Sequence, residues 1–218
     1  MRADIQPPSV LGQDNAPVLS EYGKRLLAEG DSWFTFSTQW LPRNSNLLFG
    51  LDVPERTFIA NCATPGDTLR HMVQFPRNPA FAGSFSGPRA RIWDAVLLSA
   101  GGNDLIDAAG VSPRDALGHL RPLADRLLLT PPEAGDGPAG VRFISEPGWA
   151  ALATYLRLNL RQLADARDAG ANHATPMLLH TYHVPAARPA GVAGAPLGWL
   201  WPAFQSCGIP VDERQPLT

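Results

Sequence analysis

Three short segments carry residue types that together suit acyl transfer. The first is Gly30-Asp31-Ser32-Trp33-Phe34, the second is Thr64-Pro65-Gly66-Asp67, and the third is Gly101-Gly102-Asn103-Asp104. A serine at a sharp strand-to-helix turn presents its hydroxyl as a nucleophile and aims its own backbone N–H at a reacting carbonyl oxygen. Glycine before it eases the turn sterically. A glycine at a helix N-terminus brings an uncovered N–H to the same oxygen, and an asparagine side-chain amide supplies another donor. Three preorganised donors around a developing oxyanion are what acyl transfer needs, and loss of one commonly costs about 2.7–4 kcal/mol. Each segment alone is an ordinary turn sequence; the signal is that all three follow strand-like runs, in this order.

The elements that must position them are legible as alternating runs. Arg25-Leu26-Leu27-Ala28-Glu29 ends at Gly30 and reads as a buried strand. Arg56 to Cys62 is a second β-rich run, and Pro65-Gly66-Asp67-Thr68 opens a helix through Leu69, Met72 and Val73. Ala95 to Ala100 is the clearest strand and runs directly into Gly101. Ser112-Pro113 gives a helix start, and Leu117, Leu120, Leu123, Leu127 and Leu128 then predict one apolar helical face. A long helix is expected from about Gly148 to Ala169, closed by Gly170, and a fourth strand over Met177–Tyr182. The tail, with Trp199, Trp201 and Phe204, reads as loop. Residues 1–20 lack periodicity and read as an N-terminal arm, leaving 21–218 as a single domain. Strands alternating with helices imply an α/β layer fold with a mostly parallel sheet, whose ligands bind beyond the strands' carboxyl ends.

With these three blocks the chain resembles the SGNH (GDSL-type) hydrolase superfamily. Gly30-Asp31-Ser32 matches its first block, Gly66 within Asn61 to Leu69 its second, and Gly101-Gly102-Asn103-Asp104 its third. The resemblance implies a flavodoxin-like three-layer α/β/α sandwich and a serine esterase working through an acyl-enzyme. It implies Ser32 as nucleophile, with Ser32 N–H, Gly66 N–H and the Asn103 amide as oxyanion hole, and neither metal nor organic cofactor. Asp31, Trp33, Asp104 and Tyr182 flank these positions and are expected to bind substrate. The family's base and orienting acid come as a C-terminal Asp-x-x-His segment, and this sequence contains none. Two expectations follow: a domain incomplete at its C-terminus and feeble as it stands, or a substituted base. His183, in the loop after the fourth strand, is the substitute that the sequence favours. His180 shares that strand end, but a spacing of three sets the two on opposite faces, so they would not chelate one metal together. His71 and His119 read as helix-surface or packing residues, and His173 sits at the wrong end of the strand.

Bulk properties narrow the alternatives. The 218 residues are 44% apolar and 17% charged, with a net charge of −2 and no Lys/Arg run, which excludes phosphate-tracking nucleic-acid binding. The first residues lack the apolar core of a secretory signal and no apolar run spans a bilayer, so a soluble, cytoplasmic protein is the expectation. Cys62 and Cys207 form no Cys-x-x-Cys unit; a disulfide and two buried thiols are both open. A phosphate-binding nucleotide fold is disfavoured by the lack of any P-loop or Gly-x-Gly-x-x-Gly. The expected partner is therefore a small-molecule, acylated-carbohydrate or lipid ester. The rival is a non-catalytic ligand-binding module on the same scaffold.

Overall fold

A computed structural model describes residues 1–35, 46–87, 90–138, 141–182, 189 and 197–214. The chain divides into two compact units, Met1–Asn103 with Leu158–His180, and Asp104–Arg157 with Thr181–Thr218. The architecture is α/β, in keeping with a flavodoxin-like α/β/α sandwich. Its sheet has five strands, all parallel: β1 (Asp4–Gln6), β2 (Lys24–Gly30), β3 (Thr57–Asn61), β4 (Ala95–Ser99) and β5 (Met177–Leu179).

Strand order across the sheet is β1-β3-β2-β4-β5. The connection from β2 leads to one flank and the connection from β3 crosses to the other, so β2 sits at the topological switch point. A central parallel strand covered on both faces needs a nearly continuous apolar run. Leu27 and Ala28 of β2, Phe58, Ile59 and Ala60 of β3, and Val96 of β4 are accordingly all fully buried. Each large side chain so buried contributes roughly 1.5–3 kcal/mol. Ala28, Ile59, Phe34 and Leu48 make one buried cluster, with Ile5, Leu26 and Leu97 packed against it.

Two short helices follow β3. In α2 (Leu69–Val73) the Thr68 hydroxyl caps the His71 N–H, and in α3 (Pro79–Phe85) the Asn78 side chain caps the Phe81 N–H with Pro79 in the first turn. Phe81 and Phe85 stack at 4.8 Å and are fully buried. Before β5, the buried Asn172 accepts from Trp93 N–H and donates to the Phe85 and Arg91 carbonyls, holding that approach in place.

In the second unit the core comprises Ala109, Leu127, Leu128, Phe143, Leu152, Leu200, Ala203, Cys207 and Ile209. Arg126, with a side chain only 1% exposed, meets both carboxylate oxygens of Glu133. The same carboxylate accepts from the N–H and hydroxyl of Thr130, closing a capping box over Pro131–Glu133. Arg142 pairs with Glu213 in the same bidentate way, and the Arg214 guanidinium lies over the Trp201 ring. The helix α4 spans Gly102–Ala109, and α5 spans Glu146–Asp168, the latter close to the bounds expected from the sequence.

Three expectations need correction. Residues 1–20 are not wholly an arm, since Asp4–Gln6 pairs with Phe58–Ala60 as the sheet's edge strand. The leucine-rich helix from Ser112 does not form. That stretch is turns, an Arg114–Leu120 bridge and a 3₁₀ turn at Leu123–Asp125, with Leu117 81% exposed. Pro122 stands inside the expected helix, where it lacks the N–H and clashes with the preceding turn, and Gly118 adopts φ +84°. Conversely, the aromatic tail holds a helix, α6 (Trp201–Ser206), with Pro202 in its first turn.

Candidate functional site

At the carboxyl end of β2 the chain turns through Asp31 into α1 (Ser32–Thr35). The Asp31 side chain is buried, and its Oδ1 accepts the Trp33 N–H at 3.0 Å and the Ser99 hydroxyl at 2.6 Å. Asp31 N–H donates to the Ser99 carbonyl at 3.1 Å. The nucleophile candidate Ser32 is partly exposed and occupies the first helical position, where a backbone N–H has no intrahelical acceptor. Gly30 has no room for a side chain: a Cβ there would stand 2.6 Å from Ser99 Cβ and 2.7 Å from Ser99 O. Gly30→Ala is therefore expected to destabilise the first unit by about 1–3 kcal/mol or more, checked by denaturant unfolding, because backbone must move.

The second block lies alongside. Cys62 N–H donates to Ala28 O and Thr64 N–H to Gly30 O, both at 2.8 Å, so the β3 loop tracks β2 to its last residue. Thr64-Pro65-Gly66-Asp67 then closes with Asp67 N–H on Thr64 O at 3.2 Å and Gly66 at φ +81°. That is the pattern of a type II turn, with proline and glycine at its central positions. The flipped central peptide of such a turn leaves the Gly66 N–H outside the turn's own bond, and Gly66 is exposed.

Asn103, in the first turn of α4, donates one amide hydrogen to the Asp67 carbonyl at 2.8 Å. The second hydrogen on that nitrogen is left for another acceptor. The second and third blocks are thus joined directly, and the first is tied to them through Gly30 and Ser99. Asp104 is buried and accepts from Tyr155 OH at 2.6 Å; it and the partly exposed Tyr182 belong to the second unit. Trp33 is 49% exposed. His183 lies outside the described residues.

Two histidine arrangements are visible that the sequence alone did not reveal. His180, just after β5, places Nε2 2.8 Å from Ser99 Oγ, and its ring centroid lies 6.2 Å from that of Trp33 and 6.0 Å from that of Phe34. His71 places Nδ1 2.6 Å from Asp67 Oδ1, with the carboxylate side chain 3% and the imidazole 40% exposed. The i,i+4 spacing of Asp67 and His71 is the signal that was present for the second. For the first there was none, since Ser99 and His180 are partnered only by the sheet. His119 stands on an exposed turn beside Asp115, and His173 is exposed on the turn before β5.

Behind the site lies Glu29, fully buried in β2. Its Oε1 accepts the Gly30 N–H at 3.0 Å and its Oε2 the Asn78 amide at 3.3 Å. Burial, reinforced by the Asp67 carboxylate, pushes its carboxyl up to about 8, so it is neutral at pH 7. Burial also pushes the Cys62 thiol up, away from the thiolate form that reacts. Cys62 and Cys207 are both free thiols. Among the described residues no group of three or more His, Cys, Asp or Glu is arranged to hold a metal ion, and no helix is long and apolar enough to cross a membrane. No family model, curated protein or solved structure matches the chain.

Proposed function

We propose that the protein is a serine ester hydrolase of the SGNH type, acting through an acyl-enzyme on Ser32. The observation that supports this reading is that the three loops carrying these donors are bonded to one another at the end of the switch-point strand, through Thr64 N–H on Gly30 O, Asp31 N–H on Ser99 O and the Asn103 amide on Asp67 O. Ser32 leaves β2 at the first position of α1, Gly66 turns outward from the neighbouring β3 loop, and Asn103 is held against that loop by its 2.8 Å bond to Asp67 O. Ser32 Oγ attacks the ester carbonyl carbon, and the oxygen that becomes negative is met by the Ser32 and Gly66 N–H groups and the remaining Asn103 amide hydrogen. Collapse releases the alcohol and leaves an acyl-serine, which water then cleaves. The substrate class is a small-molecule, carbohydrate or lipid ester, and none of these steps calls on a cofactor.

A fluorophosphonate probe, followed by peptide mapping, tests the reading. Labelling is expected at Ser32, to be lost in Ser32→Ala, and to slow by about 10²–10³-fold in Asn103→Ala. Absence of labelling in a folded wild-type protein, or labelling of another residue, overturns it in favour of a non-catalytic ligand-binding module.

A further inference from the structure

We propose that His180 is the general base for Ser32, set in its working tautomer by Asp31 acting through the Ser99 hydroxyl. The inference rests on the serine-hydrolase reading and adds the proton acceptor that the sequence does not supply as an Asp-x-x-His segment.

The argument starts from hydrogens. A serine hydroxyl has one, and Ser99 Oγ meets Asp31 Oδ1 at 2.6 Å and His180 Nε2 at 2.8 Å. A carboxylate oxygen only accepts, and this one already takes the Trp33 N–H. The Ser99 hydrogen therefore goes to Asp31. Ser99 Oγ is then an acceptor toward the ring, so His180 Nε2 carries a hydrogen. In the neutral imidazole that makes Nδ1 the nitrogen able to take up a proton. When it does, the positive charge on the ring is faced, across one hydroxyl, by the buried Asp31 carboxylate. The roles match those of the orienting acid and the base in a hydrolase triad, with a serine hydroxyl inserted between the two.

The fold places this chain of groups at the strand ends from which Ser32 leaves, bonded to or packed on the residues that flank it. Register pairs Gly30 with Ser99 and Leu98 with Leu179, so the residue after β5 falls level with Ser99, across three adjacent strands. Both sequence neighbours of Ser32 belong to the network. Asp31 holds the Ser99 hydroxyl, and Trp33 gives its N–H to Asp31 and its ring to His180. The competing histidine, His71, is instead bonded to Asp67 and Thr68.

In the forward step the Ser32 Oγ–H bond breaks and its proton passes to His180 Nδ1, while Oγ bonds to the ester carbon and the carbonyl π pair moves onto oxygen. On collapse that pair returns, the carbon–alkoxy bond breaks, and the His180 proton goes to the departing alkoxide. Water repeats the sequence on the acyl-serine and restores Ser32.

The experiment measures fluorophosphonate labelling of Ser32 in the full chain, in wild type and in His180→Gln, Ser99→Ala, Ser99→Thr and His71→Gln, together with imidazole ¹⁵N NMR. His180→Gln is expected to slow labelling by about 10²–10⁴-fold, the range of a lost general base. Ser99→Ala is expected to slow it by a smaller factor, Ser99→Thr to restore it in part, and His71→Gln to slow it less than His180→Gln. The NMR spectrum of wild type is expected to show His180 as the Nε2–H tautomer, a preference weakened in Ser99→Ala. That signature decides the matter even where a variant does not fold. An Nδ1–H tautomer in wild type overturns the proposal, as does labelling that His180→Gln leaves unchanged. A larger loss in His71→Gln overturns it in favour of the Asp67–His71 pair. Failure of wild type to label Ser32 overturns the hydrolase reading itself, which is a distinguishable result.

Discussion

Between about pH 4.5 and pH 8 the protein is expected to lose stability, by on the order of 5 kcal/mol, with Glu29 as the cause. The carboxyl of Glu29 ordinarily titrates near 4.5 and in the fold is pushed up to about 8. Below 4.5 both folded and unfolded chains hold its proton, and the fold suffers no penalty. As pH rises, the unfolded chain releases that proton first, so the folded state binds more protons and stability falls with each pH unit. Above about 8 both states have lost it and the slope vanishes. The strain is specific: a full charge would sit within β2, with, among the described residues, the Gly30 N–H and the Asn78 amide to stabilise it and Asp67 opposing it. Glu29→Gln, neutral at every pH, is expected to flatten the urea-denaturation midpoint across this range. A wild-type midpoint that rises from pH 5 to 8 would show Glu29 to be charged in the fold.

Glu133→Gln is expected to cost about 3–5 kcal/mol at neutral pH, for the opposite reason. Arg126 is 1% exposed and cannot shed its charge, so removing the carboxylate leaves a buried guanidinium without its counter-ion. The pairing also holds the Glu133 carboxyl down to about 2 from an ordinary 4.5, the Arg126 hydrogen bonds being the main cause and the Thr130 bonds adding to it. That stability is present above 4.5 and is lost as pH falls toward 2, amounting to about 3 kcal/mol. The melting temperature of Glu133→Gln should drop by on the order of 10 °C at pH 7, and by much less at pH 2. An equal drop at both values would assign the loss to the capping box alone.

The positions easiest to read in the sequence were those where one strand had to be apolar throughout. The runs ending at Glu29, Cys62 and Ala100 are β2, β3 and β4, and all three candidate blocks follow them directly. β1 was hidden because an edge strand of three residues, Asp4-Ile5-Gln6, needs only one ladder and leaves almost no periodic trace. The false helix after Ser112 shows the converse. Its cap and leucine spacing agreed, but Pro122 outweighed both, and the stretch became turns with Leu117 and Leu120 in solvent. The nucleophile and the oxyanion donors of the candidate site were visible because each lies beside glycine in a strand-end turn. The histidine partners were not, because Ser99 meets His180 only through the register of β4 with β5. Glu29 had a signal, a lone acid within an apolar run, whose meaning appears only once its burial is known.

The parallel order of the sheet has a kinetic consequence. Parallel neighbours cannot be joined by hairpins, so every ladder here closes a long loop of chain before any bond rewards it. The Gly30–Thr64, Asp31–Ser99 and Asp67–Asn103 bonds come from residues far apart in sequence, and none can form from a local segment. Such topologies fold slowly, and the turns at the strand ends acquire their mutual positions only after β2 has both neighbours. Refolding from denaturant should therefore recover helical signal, much of it from α5, ahead of any reactivity at Ser32, and the lag between the two records the late arrival of β4 beside β2.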